Sequence, residues 1–174
     1  MINIKPIDIL SEEMPTCIAL EVHPEQRNYV ADNAISLAEA YDENKNHAET
    51  GKGAIAVPYA VYENDQMVGF AMYGYFFPYI DEEDAYDNHN PVYYFWRLFI
   101  DKNHQRRGIG KEVVRQVMDI IKQKPHGDAP YCYTSYEPDN IGSKTTFANY
   151  GFKEDGRVIS GETVARLNIW AKVK

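Results

Sequence analysis

Gln105-Arg106-Arg107-Gly108-Ile109-Gly110 lies between an apolar, aromatic run at 92–100 that reads as a strand and a stretch at 111–124 that reads as a helix. A strand, a glycine-containing turn and a helix make an anion site. The first N–H groups of a helix have no intrahelical partners, and the helix dipole adds partial positive charge there. Gly108 and Gly110 carry no Cβ, so a phosphate can approach the main chain closely. Arg106, Arg107 and Lys111 add formal charge. Ile109, Val113, Val114, Val117, Ile120 and Ile121 recur on one helical face, which predicts packing on a sheet.

The spacing of the glycines excludes two common phosphate loops. Gly110-Lys111 is followed by Glu112 rather than Ser or Thr, so the Walker A pattern fails, and Val113 breaks G-x-G-x-x-G. What remains is Q-x-x-G-x-G between strand and helix. A second segment follows in order: Asn140, Ser143, Phe147, Gly151 and Phe152 stand at the spacing N-x-x-[AS]-x-x-x-[YF]-x-x-x-G-F. Together the two segments resemble the GNAT N-acetyltransferase superfamily. Leu20-Glu21-Val22-His23, Gln26, residues 68–74 and Phe99-Ile100-Asp101 extend the likeness over most of 1–160. That wider pattern is most similar to the family's bacterial spermine/spermidine acetyltransferases.

The resemblance implies an α/β fold: one mixed central sheet flanked by helices, in a single domain over 1–174. Its central strands should splay into a wedge for acetyl-CoA. By the same resemblance, main-chain groups of Leu98, Phe99 and Ile100 should bind pantetheine. Main-chain N–H groups of Arg106, Arg107, Gly108, Ile109, Gly110 and Lys111 should cradle the pyrophosphate, with Gln105 also among the cofactor-binding residues. Asn140 and Ser143 match cofactor-contacting positions, with Asn140 equally an N-cap, and Lys144 either reaches a phosphate or is surface charge. The implied reaction is direct attack of an amine on the acetyl thioester. A strand N–H near Phe99 would hold the carbonyl oxygen as charge builds.

The catalytic positions depart from the family pattern. A tyrosine serves as general acid in many members, and here Phe147 stands in its place. Related polyamine enzymes carry an acidic residue where Trp96 stands. Water, an acidic loop, Glu21 or Glu137 are the remaining base candidates. Arg97, in an apolar strand, needs a partner if buried. A non-catalytic acyl-CoA-binding module and an acetyltransferase for a protein or peptide amine are the competing readings.

Composition bounds the partners. The chain has 174 residues, 44% hydrophobic and 25% charged, which suits one globular domain. A net charge of −8 disfavours nucleic-acid binding and favours a small cationic amine. Asp81, Glu82, Glu83 and Asp84, with Asp87, form an acidic cluster suited to a polyamine, since each protonated amine attracts a carboxylate. The opening residues alternate like a strand and lack a signal-peptide pattern, and no apolar run is long enough to span a bilayer. Cys17 and Cys132, far apart and outside any metal-ligand spacing, suggest reduced thiols in a cytoplasmic protein that uses no metal. The family resemblance makes a homodimer one candidate assembly.

Patterning predicts the remaining elements. Strands are expected at 2–9, 58–62, 67–77 and 131–135, with a final hairpin of 157–159 and 164–170. Helices are expected from Ser11, as N-cap, to 22, from Pro24 to 41, and from Asn140 to Gly151. Polar 42–53 and acidic 78–91 read as loops.

Overall fold

The computed structural model describes residues 1–78 and 86–170. Asp81, Glu82, Glu83 and Asp84 lie outside the described residues. The strands are β1 (Ile2–Pro6), β2 (Ala54–Glu63), β3 (Gln66–Phe76), β4 (Val92–Ile100), β5 (Tyr131–Tyr136), β6 (Lys153–Ile159) and β7 (Glu162–Asn168). The helices are α1 (Met14–Ile18), α2 (Asn33–Thr50), α3 (Ile109–Ile121) and α4 (Ile141–Tyr150), with a 3-10 turn at Pro24–Gln26.

The seven strands among the described residues form one sheet in the order β1-β2-β3-β4-β5-β7-β6. Only β4 and β5 run parallel, and α3 makes the crossover that a parallel pair requires. Every other pairing is antiparallel. The sheet is therefore mixed, as the sequence predicts. Leu37 and Ala40 of α2 and Cys17 of α1 pack on one face against Phe70, Met72 and Phe99. On the other face Val113, Val114, Val117 and Ile121 of α3 and Phe147 of α4 meet Val68, Ala71, Tyr93 and Phe95.

Two features of β4 position the site. Met72 pairs with Arg97 and Tyr73 with Phe95, so Trp96 is an extra residue on β4, a β-bulge. An extra residue reverses the facing of everything beyond it. Tyr93 and Phe95 face α3 before the bulge, whereas Leu98 and Ile100 pack on that side after it. The second feature is brevity of pairing. β4 meets β5 only at Tyr93–Cys132 and Tyr94–Tyr133. Past those pairs the strands separate, and the expected wedge opens between them.

Several local expectations change. The first helix is short, with Glu13 at its cap position. Ser11 instead closes a turn with Asp8, whose N–H donates to Ser11 Oγ at 2.9 Å. The second helix begins at Asn33, not Pro24, and continues through the polar 42–50 stretch expected to be loop. Tertiary contacts explain that polar helix. β1 reaches only as far as Tyr59, which leaves the start of β2 unpaired on one side. Asn44 fills that edge: its Nδ2 donates to the Ala56 carbonyl at 2.8 Å, and its Oδ1 accepts the Ala56 N–H at 2.9 Å. Glu43 Oε2 accepts the Ala54 N–H at 2.9 Å. The side chains act as a short substitute strand, so β2 starts four residues before the expected 58. Pro58 is tolerated there because its carbonyl serves that edge, accepting the Ile7 N–H at 3.1 Å, and its missing N–H is not called on. On α3, Met118 is buried while Ile120 is only half-buried. No helix among the described residues is long and apolar enough to cross a membrane.

Candidate active site

The loop after β4 is fixed from below by Asp101. Its Oδ1 accepts the Asn103 N–H at 3.0 Å and its Oδ2 accepts the Glu21 N–H at 3.1 Å. Burial raises the Asp101 carboxyl, but these N–H donors outweigh it and hold the group below its ordinary value. Gln105 braces the loop from the side. Its Nε2 donates to the Ile100 carbonyl at 2.9 Å and to Gln26 Oε1 at 2.8 Å, and Gln26 Nε2 returns a bond to Gln105 Oε1 at 3.1 Å. The 3-10 turn is thereby tied to the loop.

The loop then enters α3 through two left-handed residues, Arg106 with φ 60° and Gly108 with φ 79°. Glycine adopts that region without steric cost, whereas Arg106 is held there against a penalty of about 1–2 kcal/mol. Gly108 is the N-cap, and Glu112 N–H makes the first intrahelical bond to its carbonyl at 3.2 Å. The N–H groups of Ile109, Gly110 and Lys111 precede that bond and have no intrahelical acceptor. Arg106 and Lys111 line the same space, and neither has an ion-pair partner among the described residues. Unpaired N–H groups, a helix N-terminus and two free cations fit a pyrophosphate. Arg107 is turned away: its Nη2 pairs with Glu63 at 2.8 Å.

The space between the splayed strands is a cleft of about 1160 Å³. Leu98 and Ile100 line it. Asp101 N–H donates to Val68 on β3, while the Ile100 carbonyl accepts Gln105 on the opposite side. Main-chain groups alternate along a strand. Leu98 and Ile100 therefore present theirs to the cleft, and Phe99, expected near the carbonyl-holding N–H, turns its own toward β3.

α4 closes the cleft. Asn140 Oδ1 accepts the Ser143 N–H at 3.1 Å, so Asn140 is the N-cap and both residues line the opening. Lys144 pairs instead with Glu154 at 3.0 Å and is not among the lining residues. Phe147 does line the cleft, only 3% exposed. It packs edge-on between Phe95, at 5.1 Å, and Phe152, at 5.3 Å between ring centroids. Tyr150 accepts a bond from Lys122 at 2.9 Å, away from the cleft.

The two glutamates among the base candidates from sequence lie outside the cleft lining. Glu21 pairs with Lys102 at 2.5 Å, and the Lys102 hydrogen bond holds its carboxyl below the usual value. Glu137 contributes its carbonyl to the Asn140 N–H at 2.9 Å. Arg97 finds its partner on α2: Nη2 meets Glu39 at 2.9 Å and Nε donates to Ser36 Oγ at 3.3 Å. Trp96 forms part of the cleft wall.

Sequence reading missed a hydrogen-bonded group at the β4–β5–β7 side of the cleft. Ser135 Oγ donates to Glu162 Oε2. Tyr94 Oη lies 2.7 Å from Ser135 Oγ, and Tyr86 Oη donates to it at 3.5 Å. Burial pushes the Tyr94 phenol well above its ordinary value and raises Tyr86. Tyr94, Ser135 and Glu162 all line the cleft. They come from three different strands, and no local pattern joins them in the sequence.

The comparisons with known proteins agree with this architecture. A family model described as acetyltransferase (GNAT) family matches residues 20–152. A spermine/spermidine N(1)-acetyltransferase of Bacillus subtilis (strain 168) is 27% identical over 164 residues, covering 94% of this chain and 95% of that protein. Among solved structures, the PaiA N-acetyltransferase of Thermoplasma acidophilum in complex with coenzyme A superposes with a TM-score of 0.62 at 14% identity, covering 97% of this chain and 99% of that one. The aminoglycoside acetyltransferase AAC(6')-Ib in complex with coenzyme A gives a TM-score of 0.68 at 14% identity, covering 97% and 95%.

Proposed function

The chain belongs to the acetyltransferase (GNAT) family, and from that premise we propose that this acetyl-CoA-dependent N-acetyltransferase acts on a primary amine of a small cationic acceptor, a polyamine foremost. The observation that carries the reading is the cleft between β4 and β5, which joins an anion-binding helix N-terminus to a carboxylate in one opening. The relative from Bacillus subtilis, with its polyamine activity, supports the choice of acceptor.

In this reading the N–H groups of Ile109, Gly110 and Lys111, with the Arg106 and Lys111 side chains, hold the pyrophosphate. Main-chain groups of Leu98 and Ile100 hold pantetheine, and Asn140 and Ser143 bound the opening. Acetyl-CoA supplies an electrophilic thioester carbonyl. The Leu98 N–H takes the place expected for Phe99 as donor to the carbonyl oxygen. Phe147 has no hydroxyl to protonate the departing sulfur. A thiol of pKa about 8.5 is nonetheless a tolerable leaving group at neutral pH.

The test is thiol release from acetyl-CoA against spermine, spermidine, an aminoglycoside and an amino acid. Preferential turnover of the polyamines is expected. Turnover of the aminoglycoside or amino acid alone would overturn the acceptor assignment. Acetyl-CoA binding without turnover of any amine would overturn small-amine acetylation.

A further inference from the structure

We infer that Glu162 receives the acceptor's ammonium group and takes its proton, with Ser135 and Tyr94 as the positioning residues that aim its carboxylate. The inference rests on the amine-acetylation reading above and assigns the base that Glu21 and Glu137 leave unfilled.

The hydrogen bonds fix a direction. A serine hydroxyl has one proton to give. Ser135 gives it to Glu162 Oε2, so Tyr94 must donate to Ser135, and Tyr86 donates as well. The chain runs Tyr94 to Ser135 to Glu162 and ends on a carboxylate oxygen. Glu162 Oε1 accepts nothing among the described residues, which leaves it for an ammonium N–H. Burial keeps both phenols protonated, so they act as donors in this chain. The groups facing Glu162 are Tyr94 from β4, Ser135 from β5 and Tyr86 from the segment before β4. The other carboxylates lining the cleft, Glu25 and Asp139, come from the 3-10 turn and the β5–α4 connection rather than the sheet. Tyr94 and Trp96 add aromatic walls suited to a cation.

The proton balance is complete. An alkyl ammonium of pKa about 10 has no lone pair until it loses a proton. Glu162 accepts that proton, which leaves a neutral amine and a neutral carboxyl. The nitrogen forms the C–N bond as the C–S bond breaks, and its surplus proton passes to the departing sulfur. Glu162 then returns its proton to solvent, so one proton is released per ammonium acetylated.

The experiment compares wild type, Glu162→Gln and Ser135→Ala. It reads kcat/KM for spermidine across pH, acetyl-CoA affinity by calorimetry, and spermidine binding without acetyl-CoA. In Glu162→Gln, kcat/KM should fall about 10²–10⁴-fold at pH 7. That loss should shrink as pH approaches the amine's own pKa of about 10, where free amine no longer needs the carboxylate. Spermidine binding should weaken while acetyl-CoA affinity holds, and Ser135→Ala should show a smaller loss with the same pH trend. A loss equal at every pH marks a merely structural role and overturns the inference, as does full activity in Glu162→Gln; both leave the acetyltransferase reading standing. Failure of the wild type on every amine overturns both.

Discussion

The two ends of the cleft are built on different plans. The proposed anion end is one contiguous stretch, 105–111, whose available groups are main-chain N–H donors. The proposed acceptor end is assembled from Tyr94, Ser135 and Glu162, on three strands, and relies on side chains. A main-chain site needs only the right backbone path, and glycines mark that path in sequence. A side-chain site needs a sheet to bring distant residues together. The first plan tolerates change in most side chains, whereas the second depends on each one.

The largest effect expected on cofactor binding tests the anion end. Gly110→Val should lower acetyl-CoA affinity about 100-fold, equivalent to ~2.7 kcal/mol. A Cβ at Gly110 would meet Leu98 Cδ2 at 3.7 Å and Thr146 Cγ2 at 4.0 Å, ordinary contacts, so the protein should fold and the added bulk should fall in the cradle. Unchanged affinity by calorimetry in a folded variant would break the assignment of the loop.

The next effect lies at the bulge between the two ends. Arg97→Ala leaves Glu39 and Ser36 without their charged donor, and should lower unfolding free energy by about 1.5–3 kcal/mol in urea titration. A loss near zero would mean that the partly exposed Glu39 is fully served by water.

A smaller effect is expected at the acid position. Phe147→Tyr should leave acetyl-CoA affinity unchanged and give turnover equal to or above wild type in the thiol-release assay. A large fall in turnover would show that the packing of Phe147 between Phe95 and Phe152 matters more than a hydroxyl there.

The smallest effect is on the outer face of α3. Bonds from Arg115 and Gln116 hold Glu112 down to about 2, below its ordinary value of 4.5. A depressed carboxyl stabilises the fold at pH above its unfolded value and loses that contribution as pH falls from about 4.5 toward 2. The Glu112–Arg115 pair is largely exposed, so Arg115→Ala should cost only about 0.3–0.5 kcal/mol at pH 7, by thermal melts. The difference from wild type should vanish at the acid end of that window.

What could be read in advance follows the same division. Asn140 was legible as a cap because capping is local: its side chain reaches a donor three residues on. The α3 face was legible because one helix on one sheet needs one apolar stripe. The 42–50 stretch was misread because nothing apolar marks it; Asn44 and Glu43 hold it to the edge of β2 through bonds spanning 12 and 11 residues. Lys144 and Arg107 share the sign of Arg106 and Lys111 but are neutralised by Glu154 and Glu63, which only the fold brings near. Glu162 falls in the gap between the strands expected at 157–159 and 164–170, whereas in the structure it opens β7, after Ser160 and Gly161 turn the chain with positive φ.

The sequence by itself determined the family, the mixed sheet with its helices and the strand–turn–helix at 105–111 that we propose binds the anion. Each of these is carried by residues close together in the chain and by the fixed geometry of a helix N-terminus. Only the tertiary structure decided which cations stay free, which main-chain groups of β4 face the cleft and which carboxylate joins Ser135 at the cleft wall. Those answers depend on a bulge at Trp96 and on strands that part after two paired residues. Charge pairing and strand facing are properties of neighbours in space, and a linear order of residues does not contain them.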